Sequence, residues 1–374
     1  LNAFAALYII EREAGDYSMK CVSKPNAGDA NLRQGSVMIN VGIVGATGYG
    51  GRELLRLLCA HPQARITAAA STSVSGDPLA EELPAFKGLI DLEFETFDAD
   101  SLAKRCDVVF VAVPGKASMA PVAALHEAGA RVIDIGPDFR LRDLSLFERY
   151  YGVSHTAPEL VEKAVYGFPA WYRESIAEAD IIAVPGCYPA SILTPLRPLV
   201  DAPVSSVPLV VDSVSGISGA GKSPSQAFHF PEMNENLKAY KIGNHQHIPE
   251  VEQELLNRFM VQFTPHVGPL TRGILTTITL RPKTLFDPAP FYNCYEKEPF
   301  IRVLGEGKLP DINQVRASNF CDFGWVCDKR TGNIILVSAI DNLLGGTAGM
   351  AVQCMNIRFG LEETAGLKWA GMTP

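Results

Sequence analysis

From Met38 to Gly186 the chain alternates continuous apolar runs with helical patterns, and few folds accept that order. MINVGIVGA, RITAAAS, CDVVFVAVP, RVIDIGPD and DIIAVPG are five such runs, each nearly all apolar. Strands of this kind are buried on both faces, which a parallel sheet with helices on either side provides. Between them, RELLRLLCAHP has leucines three and four apart, and ASMAPVAALHEAG reads as a helix ending on Gly129. The predicted class is α/β, with a Rossmann-like, doubly wound nucleotide-binding domain.

After AVPGCYP the pattern changes. PLVVDSVSG, FTPHVGPLTRG, ILTTITLRP and NIILVSAID read as longer, more exposed strands, with helical patterns in EVEQELLNRFM and FYNCYEKEPFIRVL. They predict a second, α+β domain with a mixed, largely antiparallel sheet. The last periodic segment, GGTAGMAVQCMNIRFGL, is helical. At 374 residues two domains are expected. We assign 38–187 with 346–374 to the cofactor domain, and 188–345 to substrate binding and oligomerisation. Residues 1–37 are set apart as an extension whose role the sequence leaves open. Its acidic residues Glu11, Glu13 and Asp16 follow the apolar ALYII at once, an order unlike a signal or transit peptide.

A net charge of -8 without a basic block argues against nucleic acid as a partner. No apolar run reaches the roughly 18 residues a membrane helix needs. Eight scattered cysteines, none in a CxxC pair, suit reduced thiols in a cytoplasmic enzyme and support no zinc site of that type.

GATGYGG, Gly45 to Gly51, follows the first strand and opens the first helix. In that context Gly45, Thr47, Gly48, Tyr49 and Gly50 are candidates to cradle a pyrophosphate at a helix N-terminus, against the plainer reading of a tight turn. The second strand ends on Ser71, Thr72 and Ser73, with no carboxylate before Asp77. NAD enzymes usually carry an acid there, so NADP(H) is the expected cofactor. Pro114, which stops the third strand, joins the cofactor set. So do Ser215, Gly216, Ser218 and Gly219 of SGISGAGK, a loop suited to wrapping an anion, and Asn342 of DNLLGGTAG.

Cys187 lies between the fifth strand and SILTPLRPL. A thiolate at a helix N-terminus is stabilised by the dipole and free amides, so its pKa is expected below about 8.5. A nucleophile needs a base, and His245 and His247 in GNHQHIPEVEQEL lie two apart with Glu250 nearby. Either imidazole could take the thiol proton, with the carboxylate orienting it. A metal at HxH is the competing reading, without an obvious third ligand. Arg140 in GPDFRLRD and Arg272 in PLTRGIL are candidates for binding carboxylate or phosphate, with surface ion pairs as the plain alternative.

In this order GATGYGG, PDFRL, VPGCYP, SGISGAGK, HQHIPE, FTPHVGPLTRGIL and DNLLGGTAGMAVQ resemble the N-acetyl-gamma-glutamyl-phosphate reductases of arginine biosynthesis. The resemblance spans essentially Met38 to the C-terminus, and GCYP with HxHxPE is its most specific part. It implies Cys187 as nucleophile, His247 as acid and base with His245 as rival, and Glu250 as the carboxylate partner. It places Arg140 on the substrate phosphate, Arg272 on a carboxylate and Ser191 in the substrate set. It also implies a homodimer or homotetramer. Two positions depart from the family pattern: Ala190, commonly Thr, and Gln246, often Arg.

The implied reaction is NADPH-dependent reduction of N-acetyl-L-glutamyl 5-phosphate to the semialdehyde through a Cys187 thioester. The alternatives are an aspartate-semialdehyde dehydrogenase, a lysine-pathway aminoadipyl-phosphate reductase, and a catalytically silent NADP-binding regulator.

Overall fold

A computed structural model of the chain describes residues 7–13, 16–22, 38–71, 75–205 and 208–373. Two units are distinguished, residues 1–37 and residues 38–374. In the first, β1 (Leu7–Glu13) and β2 (Asp16–Val22) form an antiparallel hairpin with Leu7 opposite Val22.

The second unit holds two seven-stranded sheets. The first contains β3 (Ile39–Val44), β4 (Ala64–Ala70), β5 (Phe94–Glu95), β6 (Val108–Val111), β7 (Val132–Asp134), β8 (Val165–Tyr166) and β9 (Ile181–Ala183). Every pairing is parallel, in the order β5-β4-β3-β6-β7-β9-β8. The strand order reverses between β3 and β6, and in such sheets ligands bind where the carboxyl ends of the strands diverge. The five apolar runs are the interior strands. The two-residue β5 and β8 at the edges add to them.

The second sheet contains β10 (Leu209–Ser215), β11 (Lys238–Ala239), β12 (Val261–Val267), β13 (Ile274–Leu280), β14 (Ile301–Glu306), β15 (Cys321–Asp328) and β16 (Asn333–Ile340). Its order is β11-β12-β10-β13-β16-β15-β14. The pairs β10/β12 and β14/β15 are parallel and the others antiparallel. FYNCYEKEPFIRVL is not one helix: a short turn, Ala289–Tyr295, gives way to β14. Pro299 removes a backbone donor between them and ends any helix.

Six helices position the site: α1 (Tyr49–Cys59), α2 (Met119–Glu127), α3 (Pro169–Glu178), α4 (Cys187–Leu196), α5 (His247–Glu254) and α6 (Gly349–Arg358). From Tyr188 onward α4 is entirely buried, and it lies against the second sheet. Pro195 within it has no amide, which frees the carbonyl of Ser191 one turn back. Ser338 Oγ donates to that carbonyl at 2.7 Å, and Tyr292 and Tyr295 donate to the carbonyls of Pro195 and Thr194 at 3.0 and 2.6 Å. The helix that carries the nucleophile at its start is therefore pinned along its far half.

Candidate active site

The nucleotide loop is shaped by close approach. Gly45 has φ +85°, and a Cβ there would lie 2.5 Å from the Ala112 carbonyl oxygen beyond β6. A Cβ on Gly50 would meet Ile135 Cδ1 at 2.6 Å, and one on Gly51 would run into the Gly45 carbonyl. Gly51, the last glycine of the motif, completes a Gly45-Gly48-Gly51 spacing. Gly48 immediately precedes α1, whose first turn has no acidic residue, and Tyr49 opens that helix. Thr47 is buried, its carbonyl accepting Arg52 Nε at 3.0 Å. The unpaired amides at this helix start suit an anion. Ser71 is buried and donates its amide to Glu95 O at 3.0 Å, while Thr72 and Ser73 lie outside the described residues. Pro114 is exposed just beyond β6.

SGISGAGK and DNLLGGTAG meet. Asn342 donates to Ser218 Oγ at 3.0 Å and accepts the Gly273 amide at 2.7 Å. The Gly216 amide donates to Gly273 O at 2.9 Å. Ser215 is buried at the end of β10 and Gly219 is exposed. Arg272 stands beside this loop and reaches α1. Its Nη1 donates to Glu53 at 2.9 Å and its Nη2 to Asp341 at 3.1 Å. Paired with two of the chain's own carboxylates, Arg272 acts as a strut between α1 and the end of β16, which weighs against the expected substrate carboxylate there. Ser191 is likewise taken up internally. It is fully buried, and its hydroxyl donates to Thr276 Oγ1 at 2.7 Å.

Around Cys187 the remaining candidates converge. The Gly186 amide donates to Glu250 Oε1 at 2.8 Å, and so does the Tyr166 hydroxyl. The other carboxylate oxygen lies 3.4 Å from Arg140 Nη1, and Arg140 Nη2 donates to Ile135 O at 2.9 Å. A Cβ on Gly186 would lie 2.5 Å from His247 Nε2 and 2.8 Å from Arg140 Nη1. On the other side Gly346 closes on the cysteine, where a Cβ would lie 2.8 Å from Cys187 Cβ. Gly346 sits in the turn Leu344–Ala348, so the small residues of DNLLGGTAG press on the cysteine itself.

Glu250 thus braces Gly186, Tyr166 and Arg140, and it forms no hydrogen bond with His247. This corrects its expected role as the histidine's orienting partner: one turn of α5 carries both residues, and the carboxylate points to the turn before Cys187. His245 is buried, with its Nδ1 accepting the His247 amide at 3.2 Å and its ring edge-on to Tyr188, Tyr240 and Phe263. That fixes its tautomer as Nε2–H. His247 is less enclosed, and its Nδ1 has no hydrogen-bond partner. Of the two imidazoles, His247 is the one placed against the turn that presents Cys187. Buried polar groups without partners are rare and costly, by about 1–3 kcal/mol, and Arg140 Nε and Arg272 Nε are two further ones here.

The electrostatics follow burial. Desolvation lifts the Cys187 thiol to about 11, outweighing the pull of Arg140 and the helix amides. The lowered pKa expected from the helix start is not what this environment produces. His245 falls to about 2 and His247 well below its ordinary value, chiefly by desolvation, with Lys241 adding to both and Arg140 to His247. A neutral thiol therefore sits near a neutral imidazole, able to exchange a proton once a reaction requires it. Sequence reasoning missed Asp138, Ser118, Asp134 and Tyr166. Asp138 accepts the amides of Lys116 and Ser118 at 2.8 and 3.0 Å and so anchors the loop of Arg140. Its position inside PDFRL was the available signal. Asp134 is fully buried and pushed up to about 7 by desolvation. Among the described residues, no group of three or more metal-ligating side chains is gathered as a metal site, and no helix is long and apolar enough to cross a membrane.

Comparison with known proteins follows this division of the chain. Residues 40–179 match the NAD binding domain of semialdehyde dehydrogenases, and residues 187–342 match their dimerisation domain. The N-acetyl-gamma-glutamyl-phosphate reductase of Desulforapulum autotrophicum is 45% identical over 340 residues, covering 88% of this chain and 98% of that one. The chain belongs to the N-acetyl-gamma-glutamyl-phosphate reductase family. Members from Symbiobacterium thermophilum and Methanopyrus kandleri are each 46% identical, covering 89% and 90% of the chain and 98% and 100% of their own lengths. The fold is also that of aspartate semialdehyde dehydrogenases. The Vibrio cholerae enzyme complexed with ASA has TM-score 0.67 at 20% identity, covering 86% of this chain and 98% of that one. The Candida albicans enzyme with NADP has TM-score 0.66 at 18% identity with the same coverage. In this chain the parallel sheet forms the NAD-binding domain and the mixed sheet the dimerisation domain.

Proposed function

We propose that the protein reduces N-acetyl-L-glutamyl 5-phosphate to N-acetyl-L-glutamate 5-semialdehyde, with release of phosphate, at Cys187. The observation that carries this is the convergence of Arg140 Nη1 and His247 Nε2 on Gly186, the residue before the cysteine. An acyl phosphate needs a nucleophile, a proton acceptor and a cation for the departing phosphate, and those are the groups assembled.

Cys187 Sγ attacks the acyl carbon, passing its proton to His247. The bond from that carbon to the phosphate oxygen breaks, leaving a thioester, and Arg140 receives the phosphate charge with Nε as a spare donor. The nicotinamide, when bound, supplies the hydride. The C–S bond then breaks, and His247 returns its proton to the sulfur as the semialdehyde forms. Dividing one difficult reduction into two steps is the gain of covalent catalysis. Amides at the start of α4 would receive the developing oxyanion.

The loop Gly45–Gly51 and the start of α1 would hold the cofactor pyrophosphate. NADP(H) over NAD(H) rests on the absence of a carboxylate between Ser71 and Asp77. A cytoplasmic homo-oligomer fits the reading, the match to a dimerisation domain supporting self-association. The outer face of the mixed sheet, where half-exposed Val210, Val214, Leu275 and Ile335 surround Asp212, Thr277 and Thr279, would supply the contact.

The test is NADP+ reduction driven by the semialdehyde and phosphate. Phosphate-dependent turnover that vanishes in Cys187→Ser while NADPH still binds is expected. Turnover retained in that variant sinks the thioester route, and NADH binding as tight as NADPH sinks the cofactor choice.

A further inference from the structure

The proposed substrate carries two anionic groups, the phosphate at the reacting end and a carboxylate at the other. Arg140 stands at the reacting end. Arg272 is ion-paired with both Glu53 and Asp341, which makes it a weaker partner for the substrate carboxylate than an unpaired cation would be.

Lys241 differs from both. Its Nζ donates to a neutral acceptor, Gln246 Oε1, at 2.9 Å, and among the described residues no carboxylate pairs with it. An ammonium has three donors, so two remain after this bond. Its place is fixed from two sides. The preceding Tyr240 sets its ring 5.6 Å from His245 and donates its hydroxyl to Tyr188 Oη at 3.1 Å, next to Cys187. Gln246, the tether, immediately precedes His247. Lys241 itself has φ +45°, a backbone conformation unfavourable for a residue with a Cβ, as Gly243 has φ +73° two residues on. This bend turns the exposed lysine back over Gln246. Both imidazoles feel its charge, which helps to lower their pKa values.

We propose that Lys241, aimed by Gln246, binds the substrate carboxylate and selects acyl phosphates that carry this second anion. The inference rests on the acyl-phosphate reductase reading. Charge-assisted bonds from the two free ammonium donors are the stronger kind, so their loss should be visible in selectivity.

Wild-type enzyme, Lys241→Met and Lys241→Arg are compared in NADP+ reduction with phosphate and two aldehydes, N-acetylglutamate semialdehyde and its decarboxylated analogue acetamidobutanal. The ratio of kcat/KM for the carboxylated over the decarboxylated aldehyde should fall about tenfold or more in Lys241→Met, through KM, and recover in Lys241→Arg. An unaltered ratio overturns the proposal. So does an equal loss on both aldehydes, which would mark the lysine as a tuner of His247 instead. If wild-type enzyme turns over neither aldehyde, the reductase reading falls and takes this one with it. Wild-type turnover with an unaltered ratio removes Lys241 alone.

Discussion

Gly186→Ala isolates the geometry on which the mechanism depends. Gly186 has φ -68° and ψ 157°, a conformation alanine adopts freely, so any effect of the added methyl is steric. That methyl would lie 2.5 Å from His247 Nε2, 2.9 Å from His247 Cδ2 and 2.8 Å from Arg140 Nη1. Comfortable contact between such atoms is about 3.5 Å or more, so the imidazole, the guanidinium or both must retreat by about 1 Å. Arg140 has little room to move, being held by Ile135 O and Glu250, while Glu250 is itself held by Tyr166 and the Gly186 amide. Displacement of a positioned group by about 1 Å costs on the order of 100-fold in rate. The same overpacking costs about 1–3 kcal/mol of stability, which a domain stable by about 5–15 kcal/mol survives. The expected result is a folded protein with kcat lower by about 100-fold and near-normal NADPH binding. Turnover and thermal unfolding are measured on one preparation, so that a folding defect is not mistaken for a catalytic one. A folded variant with kcat within about threefold of wild type would refute the placement of His247 and Arg140 against the Cys187 turn, with 100-fold the scale of the comparison.

Alkylation of Cys187 by a neutral reagent should speed up steadily from pH 7 to beyond pH 9, because only the thiolate reacts and burial lifts the thiol to about 11. A plateau near pH 7 would refute that environment, and Arg140→Met should slow labelling further. Arg272→Met leaves Glu53 and Asp341 facing each other without their cation, so the melting temperature should drop by the equivalent of about 3–5 kcal/mol. A normal melting temperature with a raised substrate KM would return Arg272 to the substrate site. Ile335→Lys places a charge on the half-exposed face of the mixed sheet and should lower the mass seen by light scattering. An unchanged oligomer would exclude that face.

What the sequence made legible follows from how local each signal is. The interior strands of the parallel sheet announce themselves because burial on both faces demands unbroken apolar runs, as in Val108–Val111. Phe94–Glu95 and Val165–Tyr166 are too short to carry any period. CDFGWVCD, which forms β15, shows no clean alternation, while aromatic spacing in FYNCYEKEPF imitates a helix that Pro299 forbids. In the site, glycine motifs, Cys187 and the two histidines were readable because their chemistry is written in the residue type. The pairing of charges was not. Glu53 and Arg272 meet across 219 positions and Arg140 and Glu250 across 110, distances over which no spacing rule operates. The same lack of local signal hid the thiol's raised pKa, since a helix start is visible in a sequence and the burial that overrides it is not. An arginine in a glycine-rich turn and a lysine in an exposed one look equally able to bind an anion. The carboxylates that face them separate the two: Arg272 has two of them and Lys241 none among the described residues, which is why the selectivity test is aimed at the lysine.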